Sequence, residues 1–190
     1  MTRIVTIAAL TALTTLLPGT SHAGVDGYWK TIDDDTGRPK SVVHVQITDG
    51  VATGQLIQLY REWDEEPDDI CDDCVGELHN EKIIGMVIIN DLTQDGDEWS
   101  GGTILDPGNG KTYRCFIEEM DDGRLKVRGY IGFALIGRTQ YWYRTEPDLT
   151  VKSILLNDAG ETLDILWTDG REATEEAIKA HLGADHPKYQ

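Results

Sequence analysis

The chain is poor in basic residues: 17 Lys and Arg stand against 34 Asp and Glu, for a formal net charge of −17. So acidic a surface is expected to repel phosphate backbones and anionic lipid heads, which require basic patches to bind, and a nucleic-acid partner is therefore disfavoured. Long apolar runs are missing after residue 23, which leaves no segment of the roughly 20 residues that a spanning helix needs. Catalytic signatures are missing as well. There is no Gly-x-Ser-x-Gly elbow, His-Glu-x-x-His pair, phosphate loop or dinucleotide fingerprint, so the sequence names no catalytic residue and no cofactor. Histidine is scarce: His44, His79, His181 and His186 follow residue 23, and none sits in a motif. Internal repeats and low-complexity tracts are absent.

What is present begins with an export signal. Arg3 is the only charge before the run Ile4–Leu17, Pro18 and Gly19 break it, and Ser21-His22-Ala23 has the small-x-small form read by signal peptidase. Residues 1–23 are therefore expected to be a signal peptide, cleaved after Ala23, and the protein to be periplasmic or secreted. No Cys follows the cut, which argues against a lipid anchor there. The remaining 167 residues carry 16 basic and all 34 acidic side chains, a net −18, and suffice for one domain with a core plus an appendage.

Short apolar runs alternate with turn signals at near-regular spacing, which predicts strands near 27–32, 40–48, 51–60, 83–91, 98–105, 111–119, 124–131 and 136–144. Asp49-Gly50, Asp95-Gly96 and Asp122-Gly123 supply the positive φ angles of tight hairpins. The expected fold is mainly β: an eight-stranded antiparallel up-and-down barrel. Period-two alternation places Val43, Val45 and Ile47 on one face of a strand, and likewise Tyr113, Cys115 and Ile117, and Leu125 and Val127. The nearly continuous run Ile83–Ile89 reads as a strand covered on both faces. Two regions interrupt the meander. Arg61–Lys82 is a 22-residue, strongly acidic connection. After Pro147, a hairpin (Val151–Leu156 and Leu163–Trp167) and a short helix (about Ala173 to Leu182) are expected. The domains are thus 1–23 signal, 24–146 barrel and 147–190 extension.

Cys71-x-x-Cys74 admits three readings. A redox dithiol wants a lowered thiol pKa, and Asp68, Asp69, Asp72 and Asp73 oppose it. A zinc site needs two more ligands, with His79 and Cys115 at no standard spacing. A structural disulfide suits an exported chain, and is preferred. Cys115 is left as a buried core thiol. The acidic stretches lack the spacing of a calcium loop, so no metal site is assigned.

Seven ordered blocks carry a family likeness. They are Gly27-Tyr28-Trp29; Thr36-Gly37-Arg38-Pro39-Lys40-Ser41-Val42-Val43; Cys71-Asp72-Asp73-Cys74-Val75-Gly76-Glu77; and Ile83-Ile84-Gly85-Met86. After these come Gly101-Gly102-Thr103-Ile104-Leu105-Asp106-Pro107 with Gly110-Lys111-Thr112-Tyr113, then Leu125-Lys126-Val127-Arg128-Gly129-Tyr130-Ile131-Gly132, then Gly137-Arg138-Thr139-Gln140-Tyr141-Trp142-Tyr143-Arg144. From Gly27 to Arg144 the chain resembles domain-of-unknown-function family 2147, small secreted bacterial proteins. The likeness implies an exported lipocalin-like barrel and transfers no active site. Gly27-Tyr28-Trp29 and Arg144 also resemble the lipocalin and calycin pattern, in which a late Arg packs over the Trp of the first strand. Antiparallel pairing of first and last strands favours Arg144 over Arg138 for that stack.

In the last strand Arg138, Gln140, Trp142 and Arg144 share one face, and Thr139, Tyr141 and Tyr143 the other. In one reading Trp142 and the tyrosines fill the core while the arginines pair acids. In the other the polar-aromatic face lines a pocket. The expected binding set is Tyr28, Trp29, Arg138, Gln140, Trp142 and Arg144, for a small-molecule or lipid-like ligand held by a non-enzymatic module. An envelope interaction protein acting through the C-terminal extension is the alternative. Thiol or metal chemistry at the Cys-x-x-Cys loop comes third.

Overall fold

The computed structural model describes residues 24–62, 70–157 and 159–168. The expected signal peptide, the helix expected over 173–182 and positions 63–69 of the acidic connection lie outside these residues.

Eight strands follow one another as a meander: β1 (Gly27–Ile32), β2 (Pro39–Thr48), β3 (Val51–Glu62), β4 (Val87–Asp95), β5 (Glu98–Asp106), β6 (Lys111–Glu119), β7 (Arg124–Tyr130) and β8 (Gly137–Arg144). Each pairs antiparallel with its sequence neighbour, and β1 also pairs with β8, through Trp29↔Arg144 and Lys30↔Tyr143. With β3 joined to β4 as well, the sheet closes on itself and these eight strands form a barrel. The β2–β3 turn shows why Asp-Gly marks a hairpin: Asp49 and Gly50 adopt φ of 52° and 78°, the paired positive values that match the twist of the strands.

The fourth strand departs from expectation. It runs over Val87–Asp95 rather than 83–91, four residues later. Ile83 and Ile84 instead pack onto the core from the connection. There the Gly85 N–H donates to Leu56 O and the Leu56 N–H to Met86 O, and Gly85 takes a φ of 95°. A continuous apolar run thus reflects burial of a turn and a strand in succession, which periodicity alone does not separate.

β3 is long enough to serve two neighbours. Val51–Gln55 pairs with β4, whereas Leu59–Glu62 pairs in parallel with β9 (Val151–Leu156). β10 (Thr162–Trp167) completes the expected hairpin against β9. The Gln58 amide ties the junction by donating to Val151 O at 3.0 Å. Among the described residues no α-helix is found.

The barrel core gathers Trp29, Val43, Val45, Ala52, Leu56, Ile89, Leu92, Trp99, Cys115, Ile117, Leu125, Val127 and Trp142, all buried. Val43, Val45, Cys115, Ile117, Leu125 and Val127 face inward as the alternation predicts; Ile47, near the end of β2, lies exposed. A smaller cluster, Val151 and Ile165 with Ile154 and Trp167, sits under the hairpin.

Candidate functional site

Strand directions give the barrel two unlike ends. The turns at 49–50, 96–97 and 120–123 lie at one end, the floor. The connections β1–β2, β3–β4, β5–β6 and β7–β8 lie at the other, the mouth.

The floor is sealed by Trp29 and Arg144. The Arg144 guanidinium carbon stands 4.2 Å from the centre of the Trp29 ring. Its nitrogens donate to Asp26 O at 2.9 Å, to Gly24 O, and to Glu119 Oε1 at 3.1 Å. The Trp29 indole N–H donates to Val25 O at 2.8 Å, so the segment before β1 is strapped beneath the barrel with Val25 buried. Gly27 has φ 128°, and a Cβ on it would stand 2.7 Å from Arg144 Nη1. The Gly-x-Trp triplet thereby acquires a reason: the glycine leaves the volume that the guanidinium occupies.

On β8 the inward face is Arg138, Gln140, Trp142 and Arg144; Trp142 is buried in the core. Tyr141 and Tyr143 are exposed on the outer face, which corrects the reading that the tyrosines fill the core. The arginines do pair acids, Arg138 with Asp34 and Arg144 with Glu119. From the core to the mouth these side chains form a chain of hydrogen bonds. The Trp142 indole N–H donates to Gln140 Oε1 at 3.2 Å, the Gln140 amide to Asp34 Oδ2 at 3.3 Å, and Arg138 Nε to the same oxygen at 2.6 Å.

Of the six residues expected to bind ligand, Trp29 and Arg144 therefore meet at the floor, and Arg138, Gln140 and Trp142 climb to the mouth. Tyr28 stands apart: it is on the outer face, stacked on His44 with ring centres 4.2 Å apart. The expected binding set omits Asp34 and Tyr113, although alternation puts Tyr113 on the face of Cys115 and Ile117. Tyr113 lies opposite Ile104 across the β5–β6 ladder, its side chain packs beside Gly129, and its hydroxyl is met by Asn109 Nδ2 at 3.3 Å. Its inward alternation was the available signal. Asp34 carried none, since a loop carboxylate finds its partner only through the fold.

The Cys71–Cys74 disulfide is formed, with both residues buried in the main core cluster. At 0% and 4% exposure the two residues present little surface to an attacking thiol. Asp73 O and Cys74 N lie where a Cβ of Gly110 would stand, so the loop rests directly on the β5–β6 turn. Burial pushes the Cys115 thiol up to about 12. In the first acidic loop Asp33 Oδ1 accepts from Thr36 N (2.8 Å), Asp35 N and Thr36 Oγ1. The Thr36 amide chiefly holds that carboxyl below its ordinary value. Among the described residues no three His, Cys, Asp or Glu side chains gather as a metal site.

An eight-stranded meander closed on itself, its first-strand Trp covered by a last-strand Arg, is a lipocalin-like barrel. A solved lipocalin-family protein from Helicobacter pylori matches it with a TM-score of 0.55 at 18% identity, over 82% of this chain and 96% of that one. The family model described as "Uncharacterized protein conserved in bacteria (DUF2147)" matches residues 27–144, and the chain belongs to that family. No curated protein matches it.

Proposed function

We propose that the protein is a non-enzymatic, exported binding module that takes one small, partly apolar ligand at the mouth of its barrel. The observation that carries the reading is the hydrogen-bonded series Trp142–Gln140–Asp34–Arg138 on the inner wall. It places a charged pair at the rim, directly above apolar core, and the Arg138 side chain is 61% exposed. Ligand sites of this kind combine an apolar wall with a few polar groups that fix orientation. Tyr113 and Ile104 supply apolar wall near the same rim. The floor and middle are occupied by core side chains, so the ligand sits high and Trp29 and Arg144 serve as foundation.

Titration with the apolar fluorophore N-phenylnaphthylamine tests the reading, alongside native mass spectrometry of protein taken from its own cell envelope. Saturable binding weakened by Arg138→Ala and Gln140→Ala, but not by Tyr28→Ala, is expected. No saturable binding and no co-purifying molecule would overturn it.

A second reading rests on β10, the edge of the ten-stranded sheet, which belongs to the extension beyond the family match. Such an edge suits strand addition by an envelope partner. Whole-cell crosslinking with and without residues 147–190 separates the two.

A further inference from the structure

The β7–β8 connection, Ile131-Gly132-Phe133-Ala134-Leu135-Ile136, is apolar throughout and stands out from the mouth. Ile131, Phe133, Leu135 and Ile136 are 65%, 78%, 93% and 70% exposed. Four large apolar side chains on one six-residue turn form a contiguous patch, not the scattered apolar exposure of ordinary surfaces. The turn is built rather than loose. Ile131 N donates to Ile136 O, Ile136 N to Phe133 O, and Arg128 Nε to Ala134 O at 2.6 Å.

The wall beneath this tip reverses the charge of the rest of the protein. Among the outward residues of β6, β7 and β8, four are basic (Arg114, Arg124, Lys126 and Arg128) and one is acidic (Glu118), in a chain of net charge −17. The outward residues of β6 and β7 include Arg114 opposite Tyr130, and Arg128 opposite Phe116. Lys126 lies 5.0 Å from the Phe116 ring centre, and Arg124 lies 4.5 Å from that of Tyr141. The nearby acids are engaged: Glu118 by Lys126, Asp122 by Arg124 and Asp34 by Arg138. Arg114 and Arg128 lie one to three residues below the tip, about 3–10 Å at the rise of a strand.

We propose that this tip and wall form a membrane-docking surface: the apolar turn enters a bilayer and Arg114 and Arg128 meet anionic headgroups. The spacing fits, since interfacial apolar segments sink roughly 5–10 Å to the boundary of headgroups and acyl chains. A bilayer is favoured over a protein partner because all four apolar side chains stand 65–93% exposed with basic residues directly beneath them, the apolar and cationic layers that an anionic lipid surface takes without a matching pocket. The chain's net negative charge opposes the approach only at long range, because fields from distant acids are screened beyond about 8 Å at physiological salt. The inference does not rest on a ligand in the barrel.

Vesicle flotation of protein lacking residues 1–23 tests it, with phosphatidylcholine alone and with phosphatidylcholine containing phosphatidylglycerol. Binding is expected to be stronger to the mixed vesicles and weakened by high salt. The pair Phe133→Ser and Leu135→Ser, both exposed and outside the core, should reduce it at least tenfold. Arg114→Ser should reduce it about fivefold on mixed vesicles, the size expected for one basic residue at an acidic surface, and little on phosphatidylcholine. Flotation with neither vesicle, flotation indifferent to the tip variants, or self-association lost with those variants would overturn the proposal. The ligand reading would stand or fall separately, by the fluorophore titration.

Discussion

Arg144 Nη1 occupies the space into which a side chain on Gly27 would project, 2.7 Å from where its Cβ would be, while the same guanidinium lies over the Trp29 ring. Two residues at opposite ends of the family match are thus fitted to each other. A guanidinium over an indole stabilises by about 0.5–2 kcal/mol, and its planar fork also serves three acceptors here. Arg144→Lys is therefore expected to lower stability by about 1–2 kcal/mol and to alter Trp fluorescence. Arg138→Lys, at the exposed rim, should cost less. Gly27→Ala should cost more than Arg138→Lys, as it meets both the φ of 128° and the guanidinium. Urea unfolding followed by fluorescence and circular dichroism checks all three.

The disulfide is expected to be structural. Cys71→Ser with Cys74→Ser should lower stability by about 2 kcal/mol, the chain-entropy value for so small a ring. Insulin-reduction activity is expected to stay at background in the native protein and in the double variant alike. Zinc binding to native protein, or reduction of the disulfide without unfolding, would contradict this.

Cys115 should be silent to thiol reagents until the protein unfolds. Its thiol is raised to about 12 by burial from an ordinary value of 9.0. Between those values the unfolded chain has lost the proton that the folded chain keeps, so stability falls as pH rises. Tyr60, raised by burial from 10.0, adds a loss of the same sign at higher pH. Urea midpoints should therefore decline above about pH 9, less steeply in Cys115→Val. A midpoint flat to pH 11 would refute the assignment.

Truncation after Glu146 removes β9 and uncovers the Leu59–Glu62 edge of β3 with its Gln58 partner gone. An unpaired edge invites strand addition, so the shortened protein is expected to aggregate earlier on heating while retaining the barrel's circular dichroism. Light scattering during a thermal ramp measures this.

Much of the barrel was written in local chemistry. Strand alternation is a property of successive residues, and Asp-Gly pairs carry their turn conformation with them, so seven of the eight barrel strands fall within a residue or two of their expected ends. The Trp29–Arg144 stack was legible because antiparallel closure fixes which ends of the first and last strands meet. The start of β4 was not, since Ile83 and Ile84 are apolar for burial under a turn rather than in a ladder. The facing of β8 was not either: alternation divides a strand into two faces, and only closure of the sheet decides that Trp142 points in and Tyr141 out. Asp34 joins Arg138 across 104 residues, and Arg114, Lys126 and Arg128 gather beside Phe116 across a strand pair. Composition records a net charge of −17. Where those charges stand, and that one face of an acidic protein is basic, is decided by which strands the tertiary structure lays side by side.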